Sequence, residues 1–354
     1  MMIIRKKTIR NISLLLTGAM LCFAGCGKND EVSHYESGAE ALEAGSYEEA
    51  IGDFELSVAE EENLVESYRG EGIAYLRLGN YEEASASFEK ALSAMEGKKK
   101  DRALETDILF YQASALYKAQ DLEGSKACCD QILELGFHKE ACFIRGSIYL
   151  EQDDYENAQK DFARMLDGSK EYRDYLNVYR VYEKKDMTGD GDAFLEKALE
   201  ISYKDADDYF ERGRIYYYLE DYEHAKEALV TAMNDGNKEA ALFLGKVYAG
   251  LDDIGNARAM YQQYMTDNGE SAKSYNGLAY CDIVEGNYDD ALNNIILGLT
   301  MAEGDDRQSL LFNEIVAYEG KLDFETARTK AEQYLASYPE DTAAQKEYEF
   351  LQSR

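Results

Sequence analysis

The sequence predicts an all-α protein: about nine helix-turn-helix units in series, closed by one further C-terminal helix. Three observations predict it. The 354 residues include a single proline, Pro339, where ordinary usage would give about 18, so helix after helix with short Gly, Asn and Asp turns is expected. The phrase Tyr47-Glu48-Glu49-Ala50 returns 34 residues later as Tyr81-Glu82-Glu83-Ala84. Nine small residues then recur along the chain, Ala50, Ala84, Ser125, Ala158, Gly191, Ala225, Ala257, Ala291 and Ala327, at intervals between 32 and 41.

Composition bounds the function. A hydrophobic content of 45% is enough to build a core, while 70 Asp and Glu against 38 Lys and Arg give a formal charge of −32. Such a field repels phosphate backbones and anionic lipid surfaces, so nucleic acid is not expected as a partner. Whatever holds this chain to a membrane must therefore be apolar or covalent.

The N-terminus supplies that anchor. Arg5, Lys6, Lys7 and Arg10 precede a largely apolar run from Ile12 to Phe23, too short to span a bilayer and of the length of a signal peptide. Phe23-Ala24-Gly25-Cys26 resembles a bacterial lipobox, with Phe23 where Leu is most common. The resemblance implies cleavage after residue 25, lipidation of Cys26 and a chain held on the extracytoplasmic side of the cell membrane; an ordinary secretory signal is the other reading. Residues 26–30 then form a short linker, and the mature chain carries −36. Two or more acyl chains outweigh that repulsion, because each buried CH₂ contributes about 0.8 kcal/mol.

From residue 31 to 338 the repeat is continuous, and it resembles the tetratricopeptide repeat. In that family position 8 is small, 11 aromatic, 15 a turn residue, 17 aromatic, 20 Ala and 24 large and apolar. Tyr68, Gly72, Tyr75, Gly79, Tyr81, Ala84, Phe88 and Ala91 match this pattern best. The implied architecture is a right-handed α-solenoid of about nine such repeats, with residues 339–354 forming the cap that covers its last interface. Position 20 is small because the two helices of a repeat cross there. Two places depart from the pattern. Gly97-Lys98-Lys99-Lys100-Asp101-Arg102 reads as an insertion before the third repeat. In the fifth, Tyr179 stands where Gly or Ala is expected, and Thr188-Gly189-Asp190-Gly191-Asp192 reads as a Gly-rich turn.

No catalytic signature occurs, and an enzyme is not expected. His34, His138 and His224 are scattered near turns and read as solvated side chains, not metal ligands. Asp186-Met187-Thr188-Gly189-Asp190-Gly191 begins like a calcium loop, yet Lys197 occupies the place of its last acidic ligand, so an ordinary turn is expected. No cofactor or metal is implied. Among the cysteines, Cys129 and Cys142 could approach across adjacent helices, although free buried thiols serve equally well as small apolar residues.

The family resemblance also implies where a partner would sit. First helices of the repeats line an inner surface through positions 2, 5, 9, 12 and 13. Position 5 reads Tyr35, Arg69, Phe110, Phe143, Leu176, Phe210, Leu242, Asn276 and Phe312, and positions 9 and 12 add Ile73, Leu76, Tyr117, Leu150, Tyr217, Tyr280 and Ile283. Arg173, Arg180, Lys184, Arg214, Lys246 and Lys273 fall on the same face. Either these side chains receive a partner or they pack helix on helix and pair with neighbouring acids. The candidate binding residues are Phe110, Tyr117, Phe143, Arg173, Arg180, Phe210, Arg214, Tyr217 and Lys246. The expected function is a lipid-anchored scaffold for protein or peptide partners at the cell envelope. The alternative is a solute- or glycan-capturing lipoprotein of an uptake system, with aromatic rings stacking on sugars.

Overall fold

The computed structural model describes residues 32–96 and 101–354, and among them it has nineteen α-helices and no strand. The leader, Cys26 and most of the lysine-rich insertion lie outside the described residues. Two compact units divide at Ser169 and Lys170. In the first, α1 (His34–Ala44) pairs with α2 (Tyr47–Ala59), α3 (Leu64–Leu78) with α4 (Tyr81–Met95), α5 (Arg102–Lys118) with α6 (Leu122–Leu135), and α7 (Lys139–Glu151) with α8 (Tyr155–Leu166). In the second, α9 (Tyr172–Lys184) pairs with α10 (Thr188–Ala198), α11 (Ala206–Tyr218) with α12 (Tyr222–Asn234), and α13 (Ala240–Gly250) with α14 (Ile254–Asn268). The pairs α15 (Ala272–Glu285) with α16 (Tyr288–Leu299) and α17 (Gly304–Gly320) with α18 (Phe324–Ser337) follow, and α19 (Thr342–Gln352) packs against α18. The described residues thus form nine helix pairs in series and a cap.

One backbone device makes every pair. Position 15 adopts the left-handed conformation in all nine repeats, at Gly45, Gly79, Gln120, Asp153, Asp186, Glu220, Asp252, Gly286 and Leu322. A left-handed residue ends the first helix, and the chain reverses at once. The next residue caps the second helix: Asp121, Asp154, Asp221, Asp253 and Asp323 each accept a hydrogen bond from the backbone N–H three residues on.

Within a pair the contact is made by three positions. Position 20 is fully buried at Ala50, Ala84, Ala158, Ala225, Ala257, Ala291 and Ala327. The side chain at position 24 then lies on a glycine at position 8 of its partner helix. A Cβ on Gly72 would stand 2.7 Å from the Phe88 ring, one on Gly146 2.9 Å from Phe162, and one on Gly245 2.5 Å from Tyr261. Removing the Cβ lets the ring sink to the helix backbone, where each such side chain contributes about 1.5–3 kcal/mol of burial.

The fifth repeat obeys the same rule with the sizes exchanged. Tyr179 fills position 8, and position 20 is Gly191, where a Cβ would meet the Tyr179 ring at 3.0 Å and Tyr182 at 3.1 Å. The expected Gly-rich turn is not a loop: residues 188–192 are the first turn of α10, buried through Gly191. Gly191 serves close helix packing, which composition alone does not distinguish from a turn, whereas a Cβ on Gly189 would meet nothing within 4 Å.

At the C-terminus Ala344 and Leu351 of α19 are buried on the cluster containing Ile315, Ala327, Ala331 and Tyr334. Asp341 fixes the cap's orientation, accepting from the backbone N–H groups of Ala343 and Ala344 and from the Tyr334 hydroxyl at 2.6 Å. Pro339 lies between α18 and α19, and Gln345 Nε2 donates to its carbonyl. Among the described residues no helix is long and apolar enough to cross a membrane.

Candidate partner-binding surface

In the first unit the position-5 side chains Phe110 and Phe143 are half-buried. Phe110 leans on Tyr111 and faces the His138 imidazole at 5.4 Å, and Phe143 rests on Phe162 at 6.1 Å. His138 is more than a solvated side chain, because its Nδ1 accepts from Ala141 N and caps α7. Tyr117, also half-buried, donates to Glu151 Oε1 at 2.6 Å, tying α5 to the end of α7. Burial and that carboxylate acceptor together push its phenol well above the ordinary range.

In the second unit Phe210, Arg214 and Tyr217 of α11 meet Phe243 and Lys246 of α13. The Phe210 and Phe243 rings stand edge to face at 5.4 Å, with Tyr217 at 6.2 Å from Phe243. The Arg214 guanidinium lies over both phenylalanines, and Lys246 Nζ is 4.5 Å from the Phe243 centroid. These are cation–π contacts on a partly desolvated face. Register alone does not single out Phe243, which stands at position 6, whereas Tyr218 at position 13 falls among the implied inner positions and ends the aromatic run from Tyr216.

The basic residues differ in how their charge is matched. Both carboxylate oxygens of Glu211 accept from Arg214 Nη1, at 2.9 and 2.8 Å, whereas Arg214 Nε is buried without a partner. Arg173 is exposed and Arg180 half-buried, and among the described residues neither forms an ion pair. Not every inner position reaches the surface. Leu176 and Leu242 at position 5 and Leu150 at position 12 are buried in helix-to-helix packing, as is Ile73. At these four positions packing accounts for the side chain.

Cys128, Cys129, Cys142 and Cys281 are free and buried. Burial pushes the Cys128 and Cys281 thiols up to about 11, so neither has thiolate character at neutral pH. Among the described residues no group of three His, Cys, Asp or Glu side chains is placed to hold a metal ion. Residues 188–192 form the first turn of α10.

Residues 65–97 match one tetratricopeptide repeat model, and residues 139–167 and 209–234 match a second. These three segments of the chain are tetratricopeptide repeats. Its α3–α4, α7–α8 and α11–α12 pairs are the segments concerned. A tetratricopeptide repeat protein from Parabacteroides merdae ATCC 43184 is 16% identical, with a TM-score of 0.49, over 80% of this chain and 97% of its own. YrrB, a TPR protein with an unusual peptide-binding site, is 22% identical, with a TM-score of 0.35, over 53% of this chain and 97% of its own. Cut9–Hcn1 of the APC/C is 12% identical, with a TM-score of 0.42, over 89% of this chain and 88% of its own. No curated protein sequence matches the chain.

Proposed function

We propose that this chain is a bacterial lipoprotein, held through Cys26 on the extracytoplasmic side of the membrane, whose tetratricopeptide repeats bind protein or peptide partners at the cell envelope. The carrying observation is the set of half-buried aromatic rings on the first helices: Phe110 and Phe143 in one unit, Phe210 and Tyr217 in the other. Each rests on its own core while keeping an open face, which gives a partner large rigid contact area at little entropic cost. Arg173 and Arg180, unpaired among the described residues, would orient acidic groups on an incoming segment. No step of chemistry is assigned to the chain; it acts by holding.

Crosslinking on intact cells followed by mass spectrometry tests this reading. Phe143→Ala and Phe210→Ala should each weaken capture of the crosslinked partner about 5- to 100-fold, a loss of about 1–3 kcal/mol. Unchanged capture in both variants would remove the aromatic face from the binding site. Cys26→Ser should abolish lipid labelling and release the chain from the membrane fraction; a variant that stays bound after a high-salt wash would place the anchor elsewhere.

A further inference from the structure

We propose that the rings of Tyr179, Tyr217, Tyr218 and Tyr222, gathered at the turn after α11, form an aromatic seat for a lysine or arginine side chain of the partner. This rests on the partner-binding reading of the same face and adds a charge to the partner that the cations there do not suggest.

Four rings meet at this place. Tyr218 lies 5.4 Å from Tyr179 and 5.5 Å from Tyr217, and Tyr217 lies 6.0 Å from Tyr222. Tyr217, Tyr218 and Tyr222 are each half-buried, so the seat keeps ring surface open to solvent. Tyr222 is itself fixed from behind, its ring lying where a Cβ on Gly250 of α13 would be 2.8 Å away. None of the Tyr217, Tyr218 or Tyr222 hydroxyls has a hydrogen-bond partner among the described residues, and none is closed off from solvent.

The rim is acidic. Glu220 and Asp252 occupy position 15 at the turns after α11 and α13, exposed and without an ion pair among the described residues. Glu183 and Asp192 act on Tyr179 from α9 and α10. After burial itself, the groups that raise the phenols of Tyr179, Tyr217 and Tyr222 are acids and other phenols. The Arg214 guanidinium is turned to Glu211, a helical turn earlier. Two of these acids follow the C-terminal ends of α11 and α13, where the helix dipole adds partial negative charge. Aromatic faces, helix C-termini and carboxylates all favour the same occupant, a cation. The partner is thus a segment whose basic side chain enters here while its apolar residues lie on Phe210 and Phe243.

The test uses a Gly-Ser peptide with one central lysine, its Nε-trimethyl form and its Nε-acetyl form, each presented to the full chain in detergent and read by saturation-transfer NMR. The lysine and trimethyl-lysine forms should bind and the acetyl form should not, because only the first two carry the charge. Glu220→Gln with Asp252→Asn should weaken binding at least about 5-fold, while Glu48→Gln with Glu49→Gln on α2, the same loss of charge elsewhere, should leave it unchanged. Tyr218→Leu, which keeps apolar bulk and removes the ring, should weaken trimethyl-lysine as well; circular dichroism melts check that each variant is folded. Equal binding of the acetyl form, or full binding by the Glu220/Asp252 variant, would overturn the seat. A cellular partner lost with Phe210→Ala yet indifferent to Glu220 and Asp252 would overturn the seat and leave the scaffold standing.

Discussion

Asp161 of α8 accepts two hydrogen bonds of 2.7 Å from Arg145 of α7, through Nε and Nη2, and Asp130 of α6 accepts a third at 2.6 Å. Arg145 and Asp161 stand at positions 7 and 23 of their repeat, and the same two positions are joined elsewhere by different chemistry. Ser37 donates to Asp53 at 2.7 Å, Ser87 hydrogen-bonds Glu71, Cys128 lies 3.6 Å from Gln112, and Lys330 reaches Glu314 at 2.8 Å. Polar partners set between two crossing helices fix how far one slides along the other. Where position 23 is Ala228, Arg212 turns away and donates to the carbonyls of Leu199 and Ile201.

The Arg145 contact should be strongly asymmetric to mutation. Its side chain is 18% exposed and that of Asp161 6%, so Asp161→Ala leaves a largely buried guanidinium with Asp130 alone. A loss of about 3 kcal/mol in chemical denaturation is expected, whereas Arg145→Met with Asp161→Leu should recover most of it, since apolar replacement of a buried pair is often neutral. A neutral Asp161→Ala would show that the pair carries no register.

Glycines in these helices divide by what they face. Gly→Ala in an open helix interior should gain about 0.5–1 kcal/mol, and a Cβ on Gly52 of α2 would meet nothing within 4 Å beyond its own helix backbone, so Gly52→Ala should stabilise. At Gly245 the same methyl would stand 2.5 Å from Tyr261 Cε1, and Gly245→Ala should destabilise by about 1–3 kcal/mol through overpacking. Equal effects at both sites, measured by urea denaturation, would contradict the close approach of α13 and α14.

The repeat is legible in the sequence because its signals are local and periodic: the small residue at position 20, the turn at 15 and the aromatic at 17 recur in chain order. What stays hidden depends on pairs. Gly191 reads as a turn residue until Tyr179 is seen to occupy the space its missing side chain leaves. Leu242 and Phe210 share position 5, yet the first is buried and the second half-buried, because neighbouring helices differ in what they cover. Arg214 likewise counts as a cation in the sequence, and its match with Glu211 three residues earlier becomes plain only when the rotamers are set.

Leu322 should be the easiest site for stabilisation. It is 73% exposed and holds φ at 62°, a conformation that disfavours side chains with a Cβ, and no contact there needs an isobutyl group. Leu322→Gly should raise stability by up to about 1 kcal/mol, the relief of left-handed strain exceeding the added chain entropy. Thermal melting of the variant at or below the native value would mean that the leucine stabilises through a contact that outweighs its backbone strain.

The cap should loosen as pH rises. Burial and the Glu347 carboxylate of α19 push Glu319 of α17 from its ordinary 4.5 up to about 7, with Arg354 pulling the other way. Between those two values the folded chain holds a proton that the unfolded chain has lost, so this pair's contribution to stability falls as pH rises through the window and is gone above about 7. Glu347→Gln removes the opposing carboxylate and should flatten the profile. Hydrogen exchange of the α19 amides compared between pH 5 and 8, after correction for intrinsic rates, should show protection declining in the native chain and much less in Glu347→Gln. Parallel profiles would mean that Glu319 and Glu347 do not share a proton and that the cap is held by Asp341, Ala344 and Leu351 alone.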